Sequence, residues 1–281
     1  MNARWLLNLC LLLAVVIAGT MLFFKPRQAS HEGHRLIPAA EPLQEIIIER
    51  GDQPPIRLAR AAGDWRMEAP VAARIDDTAL ARLIDLTRVE VSSRLPAVDL
   101  DRYALDKPWA RVSFGRHRIA FGMTNALTHE LYARSGEHVY AIPARLAAAV
   151  PATAAKLLAH RMFAPDETPS SFRLEAYSLR HDGVRWQLDP PDPGLSQDDL
   201  VRWVDQWRLA SSTLTQPATK AVARESVRVE LSTSREIELR IVSRTPDLVV
   251  QRADEGLEYH FASRMASLLL ASPSEVAATQ R

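Results

Sequence analysis

The chain has 281 residues, of which 47% are hydrophobic and 25% are charged, and its formal net charge is +1. This length suits two folded domains of ordinary size after a short N-terminal segment, and a charge near zero supplies no field for holding nucleic acid. A single cysteine, Cys10, excludes an intramolecular disulfide and a cysteine-based metal site.

The N-terminal segment carries the strongest single signal. Residues 5–24 read WLLNLCLLLAVVIAGTMLFF, a run without charge that is long enough to cross a bilayer as a helix of about 20 residues. A cleaved signal peptide fits less well, because the run continues past the small residues at 18–20. We therefore predict a transmembrane anchor over residues 1–25. Lys25 and Arg27 follow the span, so charge alone does not orient it.

Residues 26–43 predict a flexible tether. They are rich in histidine, proline, alanine and charge, and they lack apolar periodicity. Two histidines in this stretch, His31 and His34, could be considered as metal ligands. Two imidazoles in a flexible segment bind weakly without further ligands, so we expect no metal site there.

After the tether, the same order of features occurs twice, about 120 residues apart, which is typical of duplication. Three short strands open each copy, and the third contains a tryptophan and leads to a proline. The predicted strands are 46–50, 56–60 and 63–67 in the first copy and 172–175, 177–180 and 183–188 in the second.

Each opening leads into an amphipathic helix. Its apolar residues recur at i, i+3, i+4 and i+7, which predicts one buried face. Either Asp76 or Asp77 can cap the first helix, and Ser196 can cap the second. The stripes are Leu80, Leu83, Ile84 and Thr87 in the first copy and Leu200, Trp203, Val204 and Trp207 in the second.

Further strands with alternating apolar and polar residues follow each helix, which favours an antiparallel sheet with one exposed face. Short helices from about 143 and 262 close the copies. We predict an α+β protein with a first repeat at 44–165, a second at 166–275 and a disordered tail at 276–281. The later strands are 110–114, 118–121, 131–134 and 138–141 in the first copy and 227–231, 237–241, 248–251 and 257–260 in the second.

The tryptophan strand ending in Pro70, the helix after Asp76 and the sequence YALDKP at 103–108 resemble domain-of-unknown-function family 4340. Ala104 stands where this family usually has glycine, and the second copy lacks the motif. The resemblance implies a bacterial envelope protein without an established activity, spanning the inner membrane once, with a periplasmic body. Because such genes often lie beside ABC-transporter and gliding-motility-type components, it also implies an accessory role in a membrane complex.

Catalytic signatures are missing from the sequence. It has no glycine-rich phosphate loop, no G-x-G-x-x-G and no G-x-S-x-G. The histidines are scattered, and the acid pairs at 76–77 and 198–199 suit helix starts, where carboxylates are favoured. Trp203 and Trp207 are better explained by core packing than by a ligand platform. We therefore predict no catalytic, cofactor-binding or metal-binding residue and no cofactor.

Three functions remain to be compared. The first is a non-catalytic, membrane-anchored interaction subunit of an ABC-transporter-like complex, docking through a sheet edge or through the groove between the repeats. The second is an extracytoplasmic binding module for a lipid or other hydrophobic ligand, with a pocket near Trp203 and Trp207. The third, an enzyme, lacks a nameable set of catalytic groups. The expected partners are inner-membrane proteins and the membrane itself, and nucleic acid is not expected.

Overall fold

The computed structural model describes residues 34–37, 42–61, 63–91 and 94–280. These residues form two large antiparallel sheets, one two-stranded ribbon and a few short helices. The predicted sheet-rich α+β class is confirmed. The predicted anchor over residues 1–25 lies outside the described residues. Within the described residues, no helix combines the length and the apolar character needed to cross a membrane.

The first unit is built around the nine-stranded sheet. Its helix is α1 (Asp77–Asp85), and short 3₁₀ turns lie at Leu86–Arg88, Leu100–Tyr103, Ala144–Ala149 and Ala154–Leu157. Its strands are β1 (His34–Arg35), β2 (Glu45–Glu49), β3 (Ile56–Ala61), β4 (Asp64–Ala69), β5 (Ala73–Arg74), β6 (Glu90–Val91), β7 (Arg94–Pro96), β8 (Ala110–Phe114), β9 (His117–Thr124), β10 (Glu130–Ser135) and β11 (His138–Pro143).

The second unit is built around the eight-stranded sheet. Its helices are α2 (Gln197–Leu209), α3 (Arg264–Leu269) and α4 (Pro273–Gln280). Its strands are β12 (Pro169–Arg173), β13 (Ser178–His181), β14 (Trp186–Asp189), β15 (Leu214–Pro217), β16 (Glu225–Leu231), β17 (Glu236–Ser243), β18 (Leu248–Arg252) and β19 (Leu257–Phe261).

The two sheets have the same strand order. The first runs β5-β4-β3-β2-β8-β9-β10-β11-β7, and the second runs β14-β13-β12-β16-β17-β18-β19-β15. Only β5 lacks a counterpart within the described sheets. Gly63 and Gly183, which lie in equivalent hairpin turns, both have φ of +101°, a conformation that glycine adopts without steric cost.

The predicted stripe is buried completely in α2 and in part in α1, where Ile84 is half-buried and Thr87 lies in the 3₁₀ turn that follows. In α1, Leu80 and Leu83 are buried, and Asp76 is the cap, accepting a hydrogen bond from the amide of Ala79 at 2.8 Å. In α2, all four predicted positions are buried. Ser196 and Asp199 form a reciprocal capping box, which satisfies amides that the first turn leaves free.

Part of the predicted tether is packed, so the boundary at residue 43 is wrong for residues 34–37. Strand β1 pairs with β6, and the amide of Leu36 donates to the carbonyl of Val89 at 3.0 Å. Leu36 and Ile37 are almost completely buried in the apolar core. Two adjacent apolar residues are therefore enough to fix this stretch on the first unit.

The C-terminal prediction also needs correction. Instead of a disordered tail from residue 276, the structure has α4, in which Val276 and Ala277 are buried. The short helix predicted from about residue 143 is present as the 3₁₀ helix Ala144–Ala149. The alanine-rich sequence offers few large apolar side chains with which to fix a regular helix.

The family-like sequence at 103–108 crosses the back of the first sheet. Leu105 is buried, and the ring of Tyr103 lies 4.7 Å from the ring of Tyr132 on β10. Ala104 has φ of +53°, in the left-handed region. A Cβ atom is disfavoured in that region, which explains why glycine suits this position.

Replacing Ala104 with glycine should therefore stabilise the protein. Relief of the left-handed strain outweighs the added freedom of the unfolded chain, and we expect a gain of about 0.5–1 kcal/mol in the free energy of unfolding. Urea unfolding of the full-length protein, followed by tryptophan fluorescence, measures this change. Ala120→Gly, at an ordinary strand position in β9, is the control and should be destabilising. If both variants lost stability, Ala104 would carry no strain.

Candidate functional site: the groove between the two units

A connector, residues 158–168, joins the two units and is hydrogen-bonded on both sides. On the first-unit side, Ala159 donates its amide to the carbonyl of Arg74 at 3.1 Å. On the second-unit side, Ser212 donates its amide to the carbonyl of His160 at 2.8 Å, and the hydroxyl of Thr215 donates to the carbonyl of Ala159 at 3.0 Å. The connector thus acts as a short shared strand, not as a free linker.

A buried arginine fixes the connector to the second sheet. Arg252, at the end of β18, has a side chain only 1% exposed. Its guanidinium makes two hydrogen bonds to the carboxylate of Glu167, both at 2.6 Å, and two to the carboxylate of Asp254, both at 2.9 Å. It also donates to the carbonyl of Met162. Such forked pairing is the arrangement by which proteins accommodate a buried guanidinium.

A second arginine carries the network across to the first unit. Arg74, in β5, pairs with Glu255 in the β18–β19 turn, with Nε 2.5 Å from Oε1. It also donates to the hydroxyl of Tyr259 at 3.2 Å and to the carbonyl of Met162 at 3.0 Å. The hydroxyl of Tyr259 in turn donates to Glu255 at 2.7 Å. The two sheets are therefore joined through side chains as well as through the connector.

The charges of this network balance. Arg235 also pairs with Glu167, which gives three arginines, Arg74, Arg235 and Arg252, facing three carboxylates, Glu167, Asp254 and Glu255. Burial by itself would raise the pKa of Asp254, but the hydrogen bond from Arg252 and its charge outweigh burial, so the pKa is lowered. Burial and then the neighbouring Glu255 raise the pKa of Tyr259. We call the three arginines and the three carboxylates the inter-unit ion network.

The groove lies beside this network and has a volume of about 620 Å³. We call it the docking groove. One wall is the N-terminal end of α1, with Asp77 and Thr78. The opposite wall is the C-terminal end of α2, with Arg208 and Leu209, and the connector lies between them. The groove exists only because both units hold their positions, and its size is in the range of protein ligand sites.

The docking groove has a mixed lining. Leu209 is a large apolar side chain that is 58% exposed, and it stands beside the exposed charges of Arg208 and Asp77. Arg161, on the connector, is also exposed. A lining that combines an exposed apolar side chain with charged groups is also found where proteins contact each other.

A separate buried polar cluster fixes the loop after β15. Glu258, 2% exposed, accepts hydrogen bonds from the amide and hydroxyl of Thr219, both at 2.9 Å, from Gln216 at 2.7 Å and from Gln251 at 3.2 Å, and it lies 3.0 Å from His260. Burial alone would raise its pKa, but these hydrogen bonds outweigh burial and lower the pKa to about 2.

This lowered pKa predicts a loss of stability in acid. Because the folded-state pKa lies below the ordinary value of 4.5, the contribution of Glu258 is complete above about pH 4.5 and disappears as the pH falls towards 2. We expect a loss on the order of 3 kcal/mol over that interval. Urea unfolding at a series of pH values should show a steeper acid decline in the parent than in Glu258→Gln. Parallel pH curves would contradict this role of Glu258.

The two tryptophans that the sequence analysis assigned to core packing are buried in the core of the second unit. Trp203 and Trp207 are fully buried, with ring centroids 5.2 and 5.7 Å from the ring of Phe172. Trp203 also donates its indole N–H to the carbonyl of Ala271 at 3.0 Å. Their predicted role in core packing is confirmed, and the space suggested for a hydrophobic ligand at this pair is filled by side chains.

The scattered histidines do not converge in the described part of the chain. No group of three or more histidine, cysteine, aspartate or glutamate side chains there is arranged to hold a metal ion. Asp76 and Asp199 cap helices, as expected from their positions. The residues that build the docking groove and the inter-unit ion network were not predicted from the sequence.

Comparison with known proteins gives one match. No curated protein and no solved structure matches the chain. The sequence model of the family described as "Domain of unknown function (DUF4340)" matches residues 65–236, which run from β4 of the first unit into β17 of the second. This match covers more than half of the 281 residues, and the chain therefore belongs to the DUF4340 family.

Proposed function

We propose that this protein is a non-catalytic, membrane-anchored envelope protein that serves as an accessory subunit of an ABC-transporter-like complex. In this proposal, residues 1–25 anchor it in the inner membrane, and the two-unit body lies in the periplasm and binds a segment of a partner subunit. The observation that carries the proposal is the docking groove, whose walls come from both units and from the connector. A groove of this origin offers one fixed surface made by two linked units.

We also propose that the two units arose by duplication of one ancestral α+β unit. Their matching strand order, the stripe that falls on the same face of α1 and α2, and the equivalent turns at Gly63 and Gly183 support this. After a duplication, the surface where the two copies meet is new and is free to acquire a function that a single copy lacks. The docking groove lies at that surface.

The inter-unit ion network supports docking because it fixes the walls of the groove before a partner arrives. Arg74 and Arg252 each bond to both a carboxylate and the connector backbone, so the units cannot separate without exposing unpaired buried charges. A pre-formed surface reduces the entropy lost on binding. The mixed lining around Leu209 suits a peptide segment with an apolar residue flanked by polar ones.

Site-specific photo-crosslinking in native membranes tests the proposal. A photoreactive residue at Leu209 of the full-length protein should give crosslinks to ABC-transporter-like membrane subunits, identified by mass spectrometry. The matched control is the same photoreactive residue at Val184, which is 89% exposed and lies in the β13–β14 turn, outside the docking groove. The control position should give none of these crosslinks.

A substitution gives the second arm of the test. Leu209→Arg should weaken co-purification of the same subunits from detergent-solubilised membranes, whereas Val184→Arg should leave it unchanged. If position 209 crosslinked to no other protein, or if positions 184 and 209 crosslinked to the same proteins, the docking groove would not be the binding surface.

A further inference from the structure

A second groove lies on the first unit, with a volume of about 640 Å³. We call it the cationic groove. It is bordered by α1, by the ends of several strands of the first sheet and by the alanine-rich segment 147–152. The docking groove and the cationic groove share no lining residue among those described. The cationic groove is therefore a surface separate from the docking groove.

Positive charge dominates the polar part of this groove. Arg50, Arg82 and Lys156 line it, and no carboxylate does so among the described residues. Arg82 makes a long hydrogen bond of 3.3 Å to the carbonyl of Thr78, a neutral group. Three cations around one concave surface repel one another, and an anion placed between them would remove that repulsion.

Arg50 is held in position by an aromatic ring. Its guanidinium carbon lies 4.5 Å from the ring centroid of Trp109, and the ring of Trp109 lies 5.6 Å from that of Phe121 in the core. A guanidinium placed on an aromatic face loses little orientational freedom and keeps its N–H groups available at its edge. Planar N–H groups of this kind match the oxygens of a phosphate.

The rest of the groove is apolar. Its accessible apolar surface comes from Trp109 and from the alanines of segment 147–152, whereas Leu131 and Val150 line the groove but are themselves buried. A bare phosphate would leave these walls in contact with water, and a purely apolar ligand would leave the three cations unmatched. The volume is sufficient for a ligand much larger than phosphate. The lining therefore fits an anion joined to an apolar portion.

The long helices of the two units have different neighbours. In the second unit, α3 and α4 pack on α2, and the hydroxyl of Tyr177 and the indole of Trp203 both donate to the carbonyl of Ala271, which joins α3 and α4. In the first unit, the smaller Leu83 stands at the helix position of Trp203, and the small residues of segment 147–152 replace the C-terminal helices. Two short helices thus pack on the long helix in the second unit, and an alanine-rich segment does so in the first.

We propose that the cationic groove binds an anionic phospholipid, with the phosphate between Arg50, Arg82 and Lys156 and the glycerol and first acyl carbons against Trp109, Ala148 and Ala152. Charge complementarity selects the anion, and the apolar walls select the lipid over a free phosphate ester. This choice of ligand rests on the membrane anchor proposed above, because a body linked to a bilayer that contains anionic lipid would meet the ligand at high local concentration.

Calorimetric titration of the full-length protein in a neutral detergent tests the proposal. The probes are dihexanoyl phosphatidylglycerol, dihexanoyl phosphatidylcholine and glycerol phosphate. The phosphatidylglycerol should bind saturably, at least about tenfold more tightly than either of the others, and more weakly at high salt. Equal binding of the phosphatidylcholine would overturn the role of charge. If glycerol phosphate bound as tightly as the phosphatidylglycerol, the apolar walls would have no role in binding. If the phosphatidylglycerol did not bind saturably, the proposed site would be wrong.

Variants locate the binding. The double change R50Q/R82Q should weaken phosphatidylglycerol binding by about tenfold or more, whereas R173Q/R180Q, at exposed arginines of the second unit, should not change it. Thermal unfolding checks that each variant is folded. If R50Q/R82Q does not fold, K156Q, at an exposed side chain, replaces it with the same expected direction. Unchanged affinity in the folded variant would place the lipid elsewhere and overturn the proposal.

A groove-filling variant separates shape from charge. Thr124 is exposed and lines the groove, so Thr124→Trp keeps all three cations while occupying the space for the glycerol and acyl carbons. It should weaken phosphatidylglycerol binding by about tenfold, in contrast to the control Thr128→Trp, at an exposed position outside the groove. Full affinity in Thr124→Trp would show that the apolar part of the lipid does not enter the cationic groove.

Discussion

Replacing Gly122 with alanine is expected to lower the free energy of unfolding by about 3 kcal/mol, because no room exists for a side chain on this part of β9. A Cβ atom here would lie 2.1 Å from the carbonyl oxygen of Tyr103 and 2.9 Å from Cγ of Leu105. The closer contact is with backbone, which cannot rotate away as a side chain can. Either β9 or the segment crossing it must move. Urea unfolding of the full-length protein measures the loss.

The matched control is Gly194→Ala. A Cβ atom at Gly194 would meet only the Oδ1 atom of Asp192, at 3.1 Å; this carboxylate accepts hydrogen bonds from Gly194 and Ser274, but a shift of a few tenths of an ångström relieves the contact without moving a strand. The same chemical change should cost less than about 0.5 kcal/mol there. If the two variants lost equal stability, the close packing of the family-like segment on β9 would be wrong.

The strands that dominate both sheets could be predicted because their burial alternates locally. In β8, Ala110, Val112 and Phe114 are buried and the residues between them are not, which is the pattern visible in the sequence. Every predicted strand is present, with ends shifted by at most three residues. Strands β7 and β15 were missed because they are only three and four residues long and each ends in proline. Proline is tolerated at sheet edges, where both strands lie.

Contacts between distant residues could not be predicted in the same way. Leu36 and Ile37 lie in a polar stretch that has no apolar periodicity. They become part of the core because this stretch pairs with the chain near Val89, which is distant in sequence. Gly122 carried a usable signal, since glycine inside a strand often marks a close approach of another backbone. The sequence does not show which backbone approaches it.

The docking groove was predicted only as a location between repeats, without residues. Glu167 and Arg252 are 85 residues apart, and no local pattern links them. Arg252 does stand in phase with Leu248 and Val250, on the buried side of β18. An arginine at a position where alternation predicts a core residue indicates a buried ion pair, but its partners come from the fold.

Arg252→Met is the second substitution with a large expected effect, a loss of about 3–5 kcal/mol. It leaves Glu167, whose side chain is 8% exposed, without its principal partner, and it removes one of the two guanidinium donors to the connector carbonyl of Met162. The control is Arg240→Met in the neighbouring strand β17. Arg240 also forms an ion pair, with Glu238, but its side chain is 48% exposed, so the control should lose at most about 1 kcal/mol.

The difference between the stability losses of Arg252→Met and Arg240→Met measures how much the buried ion pairs of Arg252 contribute. We expect burial and the shared connector to make the charges interdependent. The double variant Arg252→Met/Glu167→Gln should then lose much less free energy of unfolding than the sum of the two single losses. The reason is that the first change already removes the partner that makes the second change costly. The free energies come from urea unfolding of the four proteins of this cycle at neutral pH. Additive losses, or equal losses in Arg252→Met and Arg240→Met, would mean that this buried pair does not fix the connector to the second sheet, and the connector wall of the docking groove would then lack this support.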